Sequence, residues 1–365
     1  MTDSGRLEKG AFVEPEIRQA ARNHGMLLEA LRHDVTPTGL HYLLTHFDIP
    51  DVDVDAWSLA IDGHVARPSS WSLKQLFELP RVERTVTMEC AGNGRALQES
   101  RPLSQPWLLE AIGTACWGGV SLAALLEHAG VGEGATEVVF TGLDRGLDGG
   151  VDQYFQRSLP LDVAVAGEVL VAIAMNAAPL PPQHGAPARL IVPGWYGMTN
   201  VKWLSRITLV DAPFKGHQQT VAYRVRHRPE EVGEPITRML PRSLMIPPGI
   251  PEFPTRERTV FGPCTLRGRA WSGWAPITAV DVSVDGGASW EPAELDSHQS
   301  DGHTRWCGWA HRWGEPESGP SVLMSRAHDA AGNTQPARAE GNLGGYLNNS
   351  IQRVTVIVAT DPKTE

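Results

Sequence analysis

The stretch Thr85-Val86-Thr87-Met88-Glu89-Cys90-Ala91-Gly92-Asn93-Gly94-Arg95 puts one cysteine at the end of a β-rich run, with a Gly-Asn-Gly turn and an arginine behind it. A thiolate is a soft ligand suited to redox metals, and a metal or nearby cation keeps the sulfur ionised. The small residues after Cys90 let backbone approach a bulky ligand, and Arg95 is placed to meet an anionic group. The same pattern also suits a cysteine buried as a small hydrophobe. A second constellation begins at Pro179 and runs PLPPQHGAPARLIVPGWYG, then reaches Lys202 and Arg206. Five prolines in the fifteen residues 179–193 make a rigid loop that presents His184 and Arg189 beside a strand. Four cationic or proton-sharing groups there suggest an anion or phosphate site. Lys202 and Arg206 would equally serve as a solvated strand face opposite Trp203.

The elements that must position these residues can be read from pattern. Ile17, Ala21, His24, Leu28 and Leu31 recur at helical spacing, so residues 1–35 read as an N-terminal helical extension. Trp57, Leu59 and Ile61 alternate as a strand ending at Asp62-Gly63. Ser72 and Gln75 have capping-box spacing for a helix that Pro80 ends. A second helix runs from a Ser121 cap to Gly130 and buries Leu122, Leu125 and Leu126. Strands are predicted at Val138–Thr141, Val169–Ala174, Arg189–Val192 and Val201–Val210. Helices and strands mix without a βαβ period or a glycine fingerprint, which excludes a dinucleotide-binding unit. Residues 36–240 are therefore an α+β or irregular α/β domain.

PRSLMIPPGIPEFP (241–254) holds five prolines and reads as a stiff linker. Beyond it, residues 255–360 read as all β, with strands at Thr265–Trp271, Ala279–Val284, Thr304–Arg312, Ser321–His328 and Arg353–Val358. VSVDGGASW is a hairpin whose Asp285-Gly286-Gly287 supplies positive φ. An immunoglobulin-like β-sandwich is expected, with Cys264 and Cys307 facing each other across it as free thiols. The sandwich holds six of the twelve tryptophans, a composition that favours a homodimer interface as well as a core.

The chain of 365 residues has a formal charge of −10, which excludes a generally basic nucleic-acid binder. It has no apolar run long enough for a membrane span. MTDSGRLEKG lacks a signal core and a twin-arginine pair, so a cytoplasmic location is expected. Four cysteines without paired CxxC spacing argue against structural zinc or an iron–sulfur cluster.

Taken together, MECAGNGR, PLPPQHGAPARLIVPGWYG and NVKWLSRI resemble the motifs of the sulfite oxidase family of molybdenum enzymes. Trp107, GTACWGGVSLAALL, His217-Gln218-Gln219 and Tyr223 support the resemblance. GRAWSGWAPITAVDVSVDGGASW and GYLNNSIQRV are similar to that family's dimerisation domain, so the likeness covers roughly residues 36–360. The resemblance implies a sulfite-oxidase-like molybdopterin domain and a molybdenum–molybdopterin cofactor, with Cys90 as the protein's metal ligand. It places Arg95, His184, Arg189 and Lys202 around the pterin and its phosphate. His46 becomes a further cofactor-contacting histidine, and Tyr223 a catalytic tyrosine facing the substrate pocket.

The implied activity is two-electron oxygen-atom transfer to sulfite or a related small oxyanion or sulfur compound. Reduction of an S-oxide or nitrate, or a non-catalytic member that has lost its substrate site, are the alternatives. No haem or flavin is expected in this chain, so electrons would pass to a separate acceptor. Two positions depart from the family. Leu44 stands two residues before His46, where sulfite-oxidising members usually carry an arginine, and Gly94 replaces a second arginine that many relatives carry.

Overall fold

The computed structural model describes residues 6–8, 10, 12–296 and 304–360. The expected N-terminal extension falls partly outside these residues, at positions 1–5, 9 and 11.

Two five-stranded sheets carry the first domain. One has the order Ala178–Pro179, Leu170–Met175, Ile112–Ser121, Arg81–Glu89, with Arg189–Ile191 also pairing to Leu170–Met175. Its Arg81–Glu89 strand runs antiparallel to Ile112–Ser121 in continuous register from Arg81↔Val120 to Glu89↔Ile112. The other sheet has the order Ser69–Ser72, Ser58–Gly63, Leu204–Val210, Glu137–Asp148, Val151–Pro160. Ser58–Gly63 and Leu204–Val210 are parallel, and the remaining pairs are antiparallel. Helices are few and short, as an α+β chain with long connections requires. Leu73–Glu78 starts at the expected capping box, where Ser72 and Gln75 bond reciprocally. Leu122–Ala129 ends at Gly130 in a positive-φ conformation and buries Leu122, Leu125 and Leu126.

The second unit is a β-sandwich. Its four-stranded sheet runs Arg242–Met245, Cys264–Trp271, Cys307–Trp313, Glu294–Leu295. The six-stranded sheet runs Ile250–Pro251, Arg258–Phe261, Arg353–Ala359, Gly319–Asp329, Ile277–Ser283, Glu291–Pro292. Leu266, Ala270 and Trp309 of one sheet pack with Val280, Leu323 and Val356 of the other in a single apolar cluster. The expected hairpin is present, with Gly286 and Gly287 at positive φ and Val282 opposite Glu291.

Several sequence expectations are corrected. The single N-terminal amphipathic helix is instead a helix at Glu14–Arg22, then extended chain that bridges His24 to Leu43, then a 3-10 turn at Leu28–Arg32. The helical spacing was counted across a break. The face of Glu14–Arg22 that is buried carries Glu16, which pairs with Arg101 at 3.0 Å, both side chains fully enclosed, while Ile17 is exposed. Residues 241–254 are no free linker: Arg242–Met245 is a fully buried strand paired to Cys264–Trp271. The predicted strand at Val201 begins only at Leu204, because Trp203 takes a positive φ of 48° and turns the chain. Lys202 is consequently half-buried against the Leu44 and Gln183 carbonyls, not on a solvated face, whereas Arg206 stays on the strand and pairs with Asp62. Cys264 and Cys307 do not face across the sandwich. They sit on neighbouring strands of one sheet, opposite Trp313 and Ala270 respectively, as free thiols.

The tryptophans are corrected too. Trp309 and Trp313 fill the sandwich core, whereas Trp271 and Trp306 pack into the first domain's core, and Trp274 is half exposed. Their abundance therefore reflects internal packing more than an outer interface.

Candidate functional site

Cys90 follows directly on the strand Arg81–Glu89, and its N–H still donates to Ala111 at 2.9 Å. The chain then turns: Asn93 N–H donates to the Cys90 carbonyl at 2.9 Å, and Gly94 takes φ 85°. A side chain at Gly92 would lie 2.5 Å from the Arg95 guanidinium, so only glycine lets Arg95 fold under the loop. Glu89 fixes the turn from beneath. Its buried carboxylate accepts from Asn93 Nδ2 at 3.0 Å, Arg242 Nη1 at 2.6 Å and Trp271 Nε1 at 2.9 Å. Two of those donors come from the sandwich, which also returns the segment 342–349 to the loop. Leu347 N–H donates to the Ala91 carbonyl, and Asn348 Nδ2 to the Gly94 carbonyl at 2.7 Å. The Cys90 loop is thus held by both units of the molecule.

Below Cys90 lies a small inner cavity of about 60 Å³, lined among others by His41, His46, His184, Arg189 and Lys202. The proline loop builds it as expected: Pro182–His184 is a 3-10 turn, and Gly185 follows at φ 108° against the Lys202 side chain. Arg189 donates to the His184 and Asn200 carbonyls at 2.9 and 3.0 Å and lies 4.8 Å from the Trp117 ring centre. Lys202 Nζ donates to the Leu44 and Gln183 carbonyls, each at 3.0 Å, and so narrows the cavity. Asp144 is the one carboxylate lining it among the described residues. Burial pushes Lys202 down to about 7, with the Arg189 charge adding to the effect. Burial also lowers His41 to about 4 and His184 to about 2, so both imidazoles are neutral at pH 7. Asp144 is raised to about 6, again by burial.

Cys90, His46, Tyr223 and Leu44 also line an outer cleft of about 410 Å³ that Arg95, Tyr346 and Arg22 border. Here Arg95 parts company with the other expected anchors. It lines the outer cleft and not the inner cavity, donating to the Gln105 and Gly344 carbonyls at 2.9 and 3.3 Å. Tyr223 Oη and His46 Nε2 are 2.5 Å apart. Tyr223 holds a positive φ of 51°, a strained conformation for a tyrosine that its surroundings enforce. Of the residues expected from sequence, the structure gathers Cys90, His46, His184, Arg189, Lys202 and Tyr223 around the inner cavity, and leaves Arg206 outside.

Sequence reasoning missed His41, Asp144, Phe155, Glu89 and Tyr346. Phe155 belongs to the strand Val151–Pro160, whose sequence VDQYFQRSLP has no regular alternation to signal it. Tyr346 comes from GYLNNSIQRV, a segment whose resemblance is to the dimerisation domain, and borders the cleft beside Tyr223.

A cofactor with a thiolate-bound metal and an anionic tail fits these residues on three observations. His41 Nε2, Arg189 Nε and Asp144 Oδ1 are buried without hydrogen-bond partners, and His41, Arg189 and Asp144 all line the inner cavity. Buried polar atoms are rarely left so, and a ligand is one way to satisfy them. Arg189 and Lys202 bring more positive than negative charge. Finally, among the described residues no three His, Cys, Asp or Glu side chains converge as metal ligands, so a metal at Cys90 must bring most of its own ligands.

The oxidoreductase molybdopterin binding domain family matches residues 46–218, and the Mo-co oxidoreductase dimerisation domain family matches residues 240–359. The chain belongs to the molybdopterin-dependent oxidoreductases of the sulfite oxidase and nitrate reductase type. It is 33% identical to mitochondrial sulfite oxidase of Homo sapiens, over 89% of this chain and 62% of that protein. It is also 33% identical to nitrate reductase [NAD(P)H] of Hordeum vulgare, over 91% of this chain and 40% of that one. The chain therefore spans less than two thirds of either relative. The sulfane dehydrogenase SoxCD from Paracoccus pantotrophus superposes with a TM-score of 0.80 at 27% identity, covering 98% of this chain and 90% of that one.

Proposed function

We propose that this protein is a molybdenum–molybdopterin oxidoreductase that oxidises sulfite or a related small sulfur compound by two-electron oxygen-atom transfer. The observation that carries the reading is a cavity lined by Cys90, Arg189 and Lys202, with Asp144 as the one carboxylate among its described lining residues. In this reading Cys90 binds the metal, while His184, Arg189 and Lys202 hold the pterin and its phosphate through charge-assisted hydrogen bonds. When bound, the cofactor supplies the redox metal and the oxygen transferred, and the protein supplies orientation and electrostatics. Arg95, on the cleft side of Cys90, draws an anionic substrate toward the thiolate. The Tyr223 hydroxyl, fixed by His46, holds the substrate's oxygen. Leu44 makes the rim beside His46 apolar, which suits a substrate of low charge. The electrons leave to a separate acceptor. The match to the dimerisation domain supports a homodimer, with half-exposed Trp274 on the sandwich surface.

Metal analysis and a substrate screen on purified protein test the proposal. The expected result is about one molybdenum per chain, lost in Cys90→Ser without unfolding, together with dye-linked sulfite turnover. Activity only with a reduced donor and nitrate or an S-oxide would reverse the direction. Protein without molybdenum or pterin would overturn the reading.

A further inference from the structure

The strand Val151–Pro160 turns two successive inward residues, Phe155 and Arg157, toward the hydrogen-bonded pair formed by His46 and Tyr223. Phe155 lies flat against His46, with ring centres 4.9 Å apart and an interplanar angle of 21°. Arg157 lies against Tyr223, its guanidinium carbon 5.6 Å from the ring centre. Tyr346 follows on, 5.5 Å from Tyr223, and Arg95 is 5.1 Å from Tyr346. Two guanidinium groups thus bracket two tyrosines at the mouth of the site. Only one of them, Arg95, borders the cleft.

Arg157 is buried and pairs with no carboxylate among the described residues. Its Nη1 donates to the Gln218 carbonyl, and its Nε has no partner. Burying a guanidinium without a counter-ion is costly, so a strand that needed only packing would carry an apolar residue here. The cation does not line the cleft and lies instead against the Tyr223 ring, where it acts by the attraction of a cation for an aromatic face and by drawing electron density from the O–H. The neighbouring rim residue, Leu44, offers no donor. Arg95 already commits two nitrogens to backbone carbonyls.

We propose that Arg157 is a positioning residue for anion binding, which holds Tyr223 in its strained conformation and strengthens its hydroxyl as a donor to a substrate oxyanion. The proposal rests on the oxidoreductase reading above and names what that reading leaves open, the source of positive charge beside Leu44. His46 keeps Oη in place, and in this assignment its Nε2–H donates to Oη, so the hydroxyl proton is left to face the cleft.

A double-mutant cycle tests it, using sulfate as the probe and its dissociation constant on molybdenum-loaded protein as the readout. Arg157→Met should weaken sulfate about tenfold, with molybdenum content unchanged, and Arg157→Lys should recover most of that loss. Tyr223→Phe should weaken sulfate by a similar factor. Adding Arg157→Met to Tyr223→Phe should then change it less than twofold, because both act through one hydroxyl. In sulfite turnover the Arg157→Met loss should appear in KM more than in kcat. Unchanged sulfate affinity in Tyr223→Phe overturns the proposal, even if Arg157→Met does not fold. A full tenfold loss from Arg157→Met in the Tyr223→Phe background also overturns it, since the arginine would then act independently. Failure of the oxidoreductase reading registers separately, as wild-type protein without molybdenum.

Discussion

Two sets of buried cations in this molecule contrast. At the seam between the units and along the N-terminal helix, each has a carboxylate: Arg242 with Glu89 at 2.6 Å, Arg101 with Glu16 at 3.0 Å, Arg269 with Asp34 at 2.6 Å. At the site, Arg189 and Lys202 donate to backbone carbonyls and Arg189 also to Met88 Sδ, Arg157 has one carbonyl and an unpartnered Nε, and among the described residues none of the three forms an ion pair. A buried charge must be compensated or its group shifts its pKa. The first set is compensated within the chain and is architectural. The second is left uncompensated, and Lys202 shows the cost, pushed down to about 7. Charge that the fold does not neutralise is charge available to a ligand.

The contrast gives opposite expectations for similar substitutions. Arg242→Met strands the Glu89 carboxylate in the seam and should destabilise the protein by about 3–5 kcal/mol, because breaking a buried pair leaves one charge unpaired. Denaturant unfolding of the single variant measures this. A loss below about 1 kcal/mol would dissolve the distinction between the two sets. Arg189→Met, by contrast, should change the stability of cofactor-free protein by only about 1 kcal/mol, since a stranded charge is removed while two carbonyls lose their donor. Its effect should fall on occupancy, with bound pterin reduced roughly tenfold for the loss of about 1.4 kcal/mol of charge-assisted bonding. Pterin released on denaturation gives that number. Unchanged occupancy would return Arg189 to the structural set.

The same division marks what could be read from the sequence. Local chemistry was legible: the Ser72–Gln75 capping box, Gly130 after its helix, the Asp285-Gly286-Gly287 hairpin, and the alternation of the sandwich strands are fixed within a few residues. Cys90, His184 and Arg189 were legible because glycines and prolines around them announce a shaped loop. The errors lie where a distant partner or an unsignalled backbone turn decides. Arg242–Met245 looked like linker because its prolines are local, whereas the strand is set by its ladder to Cys264–Trp271 and by the pairing of Arg242 with Glu89, 153 residues away. Lys202 looked exposed because Trp203's left-handed turn breaks the strand period. Glu16, not Ile17, faces inward because Arg101 waits for it. Arg157 gave no signal, since an arginine in an alternating strand normally marks the solvent side.

Lys202 sharpens the comparison through pH. In the cofactor-free protein burial holds its pKa near 7, while in the unfolded chain it titrates near the ordinary lysine value of about 10.4. Between these values the unfolded state binds the extra proton, so stability contributed at this site rises with pH, by at most about 1.4 kcal/mol per unit. Below pH 7 the full penalty of the buried charge is present. Thermal melts of wild type and Lys202→Met from pH 6 to 10 isolate the group: the variant should be the more stable at pH 6, and the gap should close as pH rises. An anionic cofactor acts in the opposite sense. It favours the charged lysine, so its affinity should fall above pH 7 as binding begins to require proton uptake. A gap between wild type and variant that stays constant across this range would mean that Lys202 keeps its proton and has a compensating partner after all.

Leu44 is the smallest test and runs the comparison in reverse, by adding an uncompensated cation instead of removing one. It lines both the inner cavity and the outer cleft, beside His46 and Tyr223, and its backbone carbonyl already accepts from Lys202. Leu44→Arg would place a guanidinium where the wild-type rim has none. Cofactor-free protein should lose a few tenths of a kcal/mol up to about 1 kcal/mol, because the site is only partly buried and water screens the new charge. Sulfite should gain a donor present in ground and transition states alike, so KM should fall about threefold to tenfold with kcat within a factor of two. If kcat rose while KM stayed fixed, the new group would be acting only in the transition state and the rim would belong to the reacting centre. If neither moved, Leu44 would not face the substrate, and the charge that binds it must come from Arg95 and from Arg157 through Tyr223.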